Sequence, residues 1–262
     1  MKTALSIAGS DCSGGAGIQA DLKAFSAHGV FGMTAITSVV AENTVRVIEI
    51  QDIRPDIIEK QIDAVFEDIP PDAVKIGMLS CRETMLAVAS CLRRHVTRNV
   101  VIDPVMYAKN GTPLMDPSSI DTLIAEIVPL ADVITPNIPE AEEITRITIK
   151  SLEDMRKAAQ TIHKMGCRAA VIKGGHMEGD AVDILFDGES FYEFPAPRID
   201  SVHTHGTGCT LSAAIASNLA LGLGVREAVR IAKEYIHGAI KHAPGLGKGH
   251  GPTNHFWRDG HV

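Results

Sequence analysis

The sequence is poor in aromatic residues, and its cysteines form none of the usual motifs. Phe, Trp and Tyr make up 4% of the 262 residues, while hydrophobic residues together make up 45%. A core would therefore have to be built from Ala, Val, Ile and Leu. The five cysteines are odd in number and form no Cys-x-x-Cys pair. A disulfide framework or a structural zinc site is therefore not expected, whereas a reducing compartment such as the cytoplasm is.

Further absences narrow the class of function. No apolar run reaches the length that crosses a bilayer. The formal net charge is −7, which argues against bulk binding to nucleic acid or to anionic membranes. The sequence has no Gly-x-x-x-x-Gly-Lys-Ser/Thr run, and this excludes a P-loop nucleotide site. The cluster at 14–17 also differs from the Gly-x-Gly-x-x-Gly pattern of dinucleotide-binding folds.

What the sequence does contain is an alternation of short β-branched runs with helical patterns. Val100–Ile102 is apolar and ends abruptly in Asp103, as a buried parallel strand does when it carries a polar residue at its carboxyl end. The runs 181–186 and 190–194 flank an Asp-Gly-Glu turn, which predicts a hairpin. We therefore expect one three-layer α/β/α domain over residues 1–262, with a mainly parallel sheet and an antiparallel edge hairpin.

One stretch combines two glycines with the predicted start of a helix. Gly206 and Gly208 allow a sharp turn and a close approach to a ligand, and a helical pattern begins near Thr210. The free N–H groups and the dipole of a helix start suit a phosphate oxygen. The alternative is a plain tight turn with a helix cap. Cys209 lies where the anion would bind, and the same field should lower the pKa of its thiol.

Oxygen-bearing side chains at other strand ends form a second candidate site. Asp103 and Glu140 are hard ligands that suit Mg²⁺, and Asn137 is a neutral one. The alternative for Glu140 is a place in the first turn of a helix for dipole reasons alone. A metal beside an anion-binding helix start provides the parts that phosphoryl transfer needs. His203 and His205 have no third ligand nearby in sequence and are interpreted as ordinary loop residues.

Together these segments resemble the hydroxymethylpyrimidine/phosphomethylpyrimidine kinases of thiamine biosynthesis, in the ribokinase-like superfamily. The resemblance runs from Ala4 to about Trp257. It is carried by ordered motifs at 7–11, 14–21, 41–44, 75–78, 101–106, 135–140, 173–176 and 204–209. It implies a ribokinase-like sandwich and ATP-dependent phosphorylation of the hydroxymethyl group of 4-amino-5-hydroxymethyl-2-methylpyrimidine. A second ATP would convert the monophosphate to the diphosphate. Mg²⁺ as cofactor and a homodimer are implied as well.

The resemblance also assigns roles to single residues. Gly206, Thr207, Gly208 and Cys209 would form an anion hole over the transferring phosphate. Cys209 stands where most ribokinase-like enzymes have an Asp that acts as base. Glu42 would recognise the ring nitrogen and the exocyclic amine of the pyrimidine, although the sequence by itself favours a surface turn residue there.

The remaining roles implied by the resemblance concern the rest of the pocket and the nucleotide. Asn137 and Glu140 would organise Mg²⁺ and phosphates with Asp103 nearby, and Lys173 would lie near the nucleotide phosphates. Within the pyrimidine pocket a single residue, Asp21, would make a polar contact, although its place in a helix is typical of solvated surface. The pocket would be formed by Gly9, Asp21, Val40, Met78 and Val105.

Two other functions remain open at this point. A pyridoxine/pyridoxal kinase shares the fold and the Gly-Thr-Gly loop, but Glu42 and the start at 8–11 favour the pyrimidine. A catalytically silent ligand-binding module could keep the same fold. The complete set of expected catalytic side chains argues against that second alternative.

Overall fold

A nine-stranded sheet with helices on both faces is the frame of the computed structural model, which describes residues 1–177 and 179–259. The strand order is β3-β2-β1-β4-β5-β6-β7-β8-β9. The strands are β1 (Thr3–Asp11), β2 (Phe31–Glu42), β3 (Val47–Asp52), β4 (Ala73–Ile76), β5 (Val100–Ile102), β6 (Val133–Ile134), β7 (Ala170–Ile172), β8 (Asp183–Phe186) and β9 (Phe191–Phe194).

The helices complete the two outer layers. They are α1 (Gly17–Ala27), α2 (Pro55–Asp68), α3 (Arg82–Arg94), α4 (Ile120–Thr122), α5 (Ile138–Thr145), α6 (Leu152–Lys164), α7 (Thr207–Ala220) and α8 (Val225–Lys241). The short α4 is part of a longer mixed helical stretch at 117–130. Within the described residues, no helix is both long and apolar enough to cross a membrane.

The six inner strands run parallel, and both edges of the sheet are antiparallel. Strands β8 and β9 form the hairpin that the sequence predicts, and β8 pairs antiparallel with β7. At the opposite edge β3 runs antiparallel to β2, an orientation that the sequence pattern did not indicate. The predicted three-layer, mainly parallel architecture is therefore confirmed. The antiparallel edge at β8 and β9 was expected, and the one at β3 was not.

Two hydrophobic clusters lie on the two faces of the sheet. One contains the buried side of α2, α3, α5 and α6, and the other contains that of α1, α7 and α8. Helix α7 is buried from Thr210 to Ala220, because it lies between the sheet and α8. Its Ala- and Ser-rich sequence follows from this position, since a helix enclosed on several sides has room only for small side chains.

The carboxyl ends of the parallel strands place polar residues at one edge of the sheet. Asp11 and Glu42 are the last residues of β1 and β2. Asp103 directly follows β5, and Lys173 directly follows β7. Asn137 lies just beyond β6 and is the N-cap of α5. In parallel α/β sheets this edge is where ligands bind.

Candidate active site

A cavity of about 630 Å³ opens at the carboxyl edge of the parallel strands. All but one of the residues that the sequence assigns to a site line it, and the exception is Asp21. The predicted residues in its wall are Gly9, Val40, Glu42, Met78, Asp103, Val105, Asn137, Glu140, Lys173, Gly206, Thr207, Gly208 and Cys209. One space therefore brings together the candidate anion loop, the candidate metal ligands and the candidate pyrimidine pocket.

The start of α7 needs a glycine at its N-cap, Gly206, and another in its first turn, Gly208. Gly206 has a φ of +75°, and a Cβ there would lie 1.8 Å from the Gly15 carbonyl oxygen. A Cβ at Gly208 would lie 2.9 Å from Oδ2 of Asp103. Among the described residues, no side chain caps the start of α7. The backbone can therefore approach a ligand closely at the helix start, where N–H groups and the dipole favour an anion.

Cys209, in the first turn of α7, is not the low-pKa thiol that the sequence led us to expect. Burial, together with the nearby Asp21 and Asp103, raises the pKa of this thiol to about 11. The Lys75 ammonium and the Gly17 backbone N–H act in the opposite direction. The expected lowering was wrong because loss of hydration outweighs the favourable charges around the sulfur.

Asp103, Lys173 and Glu140 form one buried group of charges in the cavity. Nζ of Lys173 lies 2.7 Å from Oδ1 of Asp103 and 4.0 Å from Oε2 of Glu140. Burial alone would lower the pKa of Lys173, but the two carboxylates outweigh it and raise that pKa. Burial raises the pKa of Glu140 to about 7, with Lys173 opposing the rise.

Glu140 also has a structural role in α5. Its Oε2 accepts a hydrogen bond of 2.8 Å from the Asn137 backbone N–H, while Oδ1 of Asn137 accepts one of 2.9 Å from the Glu140 backbone N–H. This is a capping box, and it fixes both side chains at the cavity wall. The two interpretations of Glu140 are therefore compatible. Two carboxylates and one amide are a donor set that fits Mg²⁺, although Lys173 already places a cation beside them.

Glu42 lies near two charged residues for which the sequence suggested no role. One atom each of the Asp11 carboxylate, the Glu42 carboxylate and the His205 ring lie within 4.8 Å of one another. Nε2 of His205 lies 2.9 Å from Oδ2 of Asp11. Burial and the nearby Asp11 together raise the pKa of Glu42 to about 7, with His205 opposing the rise. Glu42 is thus a half-buried cavity residue rather than a surface turn residue.

Asp21 lies in the interior instead of in the cavity wall. It is fully buried, and its Oδ2 accepts hydrogen bonds from Nζ of Lys75 at 2.9 Å and from Oγ of Ser6 at 2.5 Å. The expected polar contact with a pyrimidine is therefore not supported, because this face of α1 is turned toward the sheet. Lys75 is fully buried as well, and its charge favours the Cys209 thiolate.

Two cavity residues and one buried residue whose charge acts on Cys209 were missed by reasoning from the sequence, although all three lie in segments that carry the family resemblance. They are Asp11, His205 and Lys75. A strand-end argument could have found Asp11, since it ends β1 just as Asp103 follows β5. No comparable signal marks His205 or Lys75, because their partners are 194 and 54 residues away in the chain.

This fold, with a glycine-rich helix start and carboxylates lining one cavity, is that of a small-molecule kinase of the ribokinase-like type. The chain belongs to the phosphomethylpyrimidine kinase family, whose model matches residues 11–254. The homologues are kinases, so the protein is a phosphotransferase. The alternative of a catalytically silent ligand-binding module is therefore rejected.

Individual relatives agree with this assignment. A hydroxymethylpyrimidine/phosphomethylpyrimidine kinase of Rhizobium meliloti is 50% identical over 98% of this chain and 98% of its own length. A thiamine biosynthesis bifunctional protein of Geobacter sulfurreducens is 50% identical over 96% of this chain, which spans 52% of that relative. The solved ADP complex of a Bacillus subtilis pyridoxal kinase has a TM-score of 0.92 and 41% identity, with full coverage of both chains.

Proposed function

We propose that this protein uses ATP to phosphorylate 4-amino-5-hydroxymethyl-2-methylpyrimidine, and then phosphorylates the monophosphate to the diphosphate, in thiamine diphosphate biosynthesis. The observation that supports this most directly is that Glu42 and the loop 206–209 line the same cavity. A ring held by Glu42 would have its hydroxymethyl group available to a phosphate at that loop. Relatives named for this activity match nearly the whole chain.

In the proposed reaction, the hydroxymethyl oxygen attacks the terminal phosphorus of ATP, and the bond from that phosphorus to the ADP oxygen breaks. The backbone of Gly206, Thr207 and Gly208 would stabilise the charge on the transferring group. Sγ of Cys209, when ionised, would accept the hydroxyl proton. Lys173 would neutralise charge on the nucleotide phosphates. Mg²⁺ held by Asp103 and Glu140 would supply further charge neutralisation.

The first test is release of ADP from Mg-ATP and the pyrimidine by the wild-type protein and by Cys209→Ala and Cys209→Ser. We expect both variants to lose most of kcat with little change in the KM of the pyrimidine. Cys81→Ser is a matched control, because Cys81 is the N-cap of α3 and does not line the cavity. A near-normal kcat in Cys209→Ala would contradict the assigned role.

A second candidate function is phosphorylation of pyridoxine-type rings. It is favoured by the structural match to a pyridoxal kinase. A comparison of kcat/KM for the hydroxymethylpyrimidine and for pyridoxal, under the same conditions, distinguishes the two. We expect the pyrimidine to be preferred because Glu42 can pair with both its ring nitrogen and its exocyclic amine. A higher kcat/KM for pyridoxal would reverse the assignment.

The proposed Mg²⁺ ligands can be tested separately from the pyrimidine. Glu140→Gln should raise the Mg²⁺ concentration that gives half-maximal rate, because it removes one carboxylate of the donor set. Glu143→Gln is a matched control, since Glu143 is on the same helix and pairs at the surface with Arg146. An unchanged Mg²⁺ dependence in Glu140→Gln would exclude Glu140 as a ligand.

We also propose that the protein is a cytoplasmic homodimer. The five cysteines are all free, which suits a reducing compartment. The edge strand β3, its connecting turn and the adjoining end of β2 expose the large apolar side chains of Val39, Val45 and Ile48. Sedimentation velocity of the wild-type protein and of Ile48→Asp tests the dimer. We expect a dimer that the substitution weakens, and a wild-type monomer at micromolar concentration would exclude it.

A further inference from the structure

The His205 ring connects two loops that serve different substrates in the proposed reaction. Its Nε2–H donates to Oδ2 of Asp11 at 2.9 Å. The same Asp11 carboxylate accepts from the backbone N–H groups of Ser13 at 2.7 Å, Gly15 at 2.9 Å and Ala16 at 2.7 Å. The Asp11–His205 pair therefore fixes the loop 11–16 against the loop that precedes α7. Both partners are buried, with 2% and 8% exposure.

Other charged groups face this pair. The Glu42 carboxylate lies within 4.8 Å of both partners. Lys109 is on the loop after β5, and its charge disfavours the imidazolium form of His205. The C-terminal segment packs on His205 through a hydrogen bond of 3.1 Å from the His205 N–H to the Gly251 carbonyl. That segment carries Lys248 and His250, and the His250 ring contacts the Val202 carbonyl.

The charges of the pair act on Glu42 in opposite directions. Asp11 opposes ionisation of the Glu42 carboxyl group, and the His205 imidazolium favours it. Burial alone would lower the pKa of His205, but Asp11 outweighs it, and that pKa is raised. Hydrogen bonds from His205, Ser13 and Ala16 outweigh burial at Asp11 and hold the pKa of Asp11 well below its usual range. The pair is therefore an ion pair, whose effects on Glu42 partly cancel.

We propose that the His205 charge, held beside Glu42 by the ion pair with Asp11, sets the proton that Glu42 shares with the pyrimidine ring, which makes His205 a positioning residue. This inference rests on the proposed function. A 4-aminopyrimidine presents a ring nitrogen that accepts and an amine that donates. A carboxyl group with one proton matches both, because it donates and accepts at the same edge. The ionised carboxylate matches only a ring that carries the proton itself.

The consequence is a specific dependence on pH. Without the His205 charge, nothing in the pair would offset the Asp11 carboxylate, which raises the pKa of Glu42. Glu42 would therefore keep its proton to higher pH. An opposite charge at this range shifts a carboxyl pKa by about one pH unit or more. His205→Gln should therefore move the alkaline limb of pyrimidine binding upward by about one pH unit. A purely structural role of His205 would weaken binding at every pH and leave that limb in place.

The experiment measures binding of 4-amino-2,5-dimethylpyrimidine, which lacks the reactive hydroxyl, by calorimetry from pH 6 to pH 9. The variants are His205→Gln and the control His203→Gln, two residues earlier in the same loop. We expect the limb to move in the first variant and to stay in the second. An unmoved limb in folded His205→Gln would overturn the proposal. If the wild-type protein binds no pyrimidine at all, the proposed function fails instead.

A second measurement needs no variant at His205 and no ligand. Because the Glu42 charge raises the pKa of His205, Glu42→Gln should lower the pH at which the His205 ring titrates by proton NMR. The coupling must be reciprocal, since each group senses the charge of the other. A His205 titration that is the same in the wild-type protein and in Glu42→Gln would refute the proposed coupling.

Discussion

The raised pKa of Cys209 makes a quantitative prediction about the rate of phosphoryl transfer. If the thiolate accepts the hydroxyl proton, only the ionised fraction of the enzyme reacts. With a pKa of about 11, that fraction at pH 8 is about one in a thousand, because each pH unit below the pKa lowers it tenfold. We therefore expect kcat to rise about tenfold per pH unit between pH 8 and pH 10.

Other groups should contribute little to kcat in this range, whereas ionisation of Glu42 should affect the KM of the pyrimidine. The pKa values of Glu42 and Glu140 are about 7, so both are mainly ionised from pH 8 upward. Paired carboxylates outweigh burial at Lys75 and Lys173 and raise their pKa values, which keeps both ammonium groups charged. The assay is steady-state ADP release with saturating Mg-ATP and pyrimidine, on samples whose far-ultraviolet circular dichroism shows an intact fold at each pH.

The sharpest comparison is Cys209→Asp, which introduces the residue type that most ribokinase-like enzymes have at this position. A carboxyl group has an ordinary pKa of about 4, and even with a rise like that of Cys209 it is ionised at pH 8. The rate of this variant should therefore be flat from pH 8 to pH 10, while that of the wild-type protein rises. A wild-type rate independent of pH over this interval would refute a thiolate base.

Three further predictions concern stability and loop geometry. Lys75→Met should lower the free energy of unfolding, measured in urea, by about 3–5 kcal/mol, because it leaves the Asp21 carboxylate buried without its ion pair. The double variant Lys75→Met/Asp21→Leu should recover much of this loss. A single variant as stable as the wild-type protein would contradict the argument. Gly206→Ala should lower kcat/KM by about 100-fold, since the loop must move away from the Gly15 carbonyl. Gly222→Ala is the control, because Gly222 also has a positive φ, +92°, but nothing lies within 4 Å of the added Cβ. Equal losses of kcat/KM in both variants would refute the steric argument. Ser151→Ala should cost about 1 kcal/mol by thermal unfolding, because the Ser151 hydroxyl caps α6, and an unchanged melting temperature would contradict the capping role.

Much of the fold could be predicted from local patterns. The hairpin of β8 and β9 and the strand that ends before Asp103 follow from runs of a few residues whose period and turn residues are visible in the sequence. The antiparallel direction of β3 could not be predicted, because it depends on which strand β3 pairs with. The two-residue β6 is defined mainly by its neighbours.

In the candidate site, too, local patterns could be predicted from the sequence, whereas burial and electrostatics could not. The sequence placed Glu140 correctly in the first turn of a helix, but the capping box with Asn137 was not predicted, although a spacing of three residues is a local signal for it. It could not predict that Asp21 faces Lys75, or that burial reverses the expected pKa shift of Cys209. Both outcomes depend on how deeply α1 and α7 are packed against the sheet, and depth of burial is a property of the whole fold.

The loop before α7 and the start of that helix are held by two segments that lie far apart in the chain, around Asp11 and at 251–255. The His205 ring contacts Asp11, and its backbone N–H bonds the Gly251 carbonyl. Thr210, in α7, lies 3.0 Å from Nε2 of His255. During synthesis on the ribosome, the sheet can therefore assemble well before this loop acquires its last contacts. Catalytic competence would appear only when residues 251–255 have left the exit tunnel, because a chain that stops before them lacks these contacts to the loop.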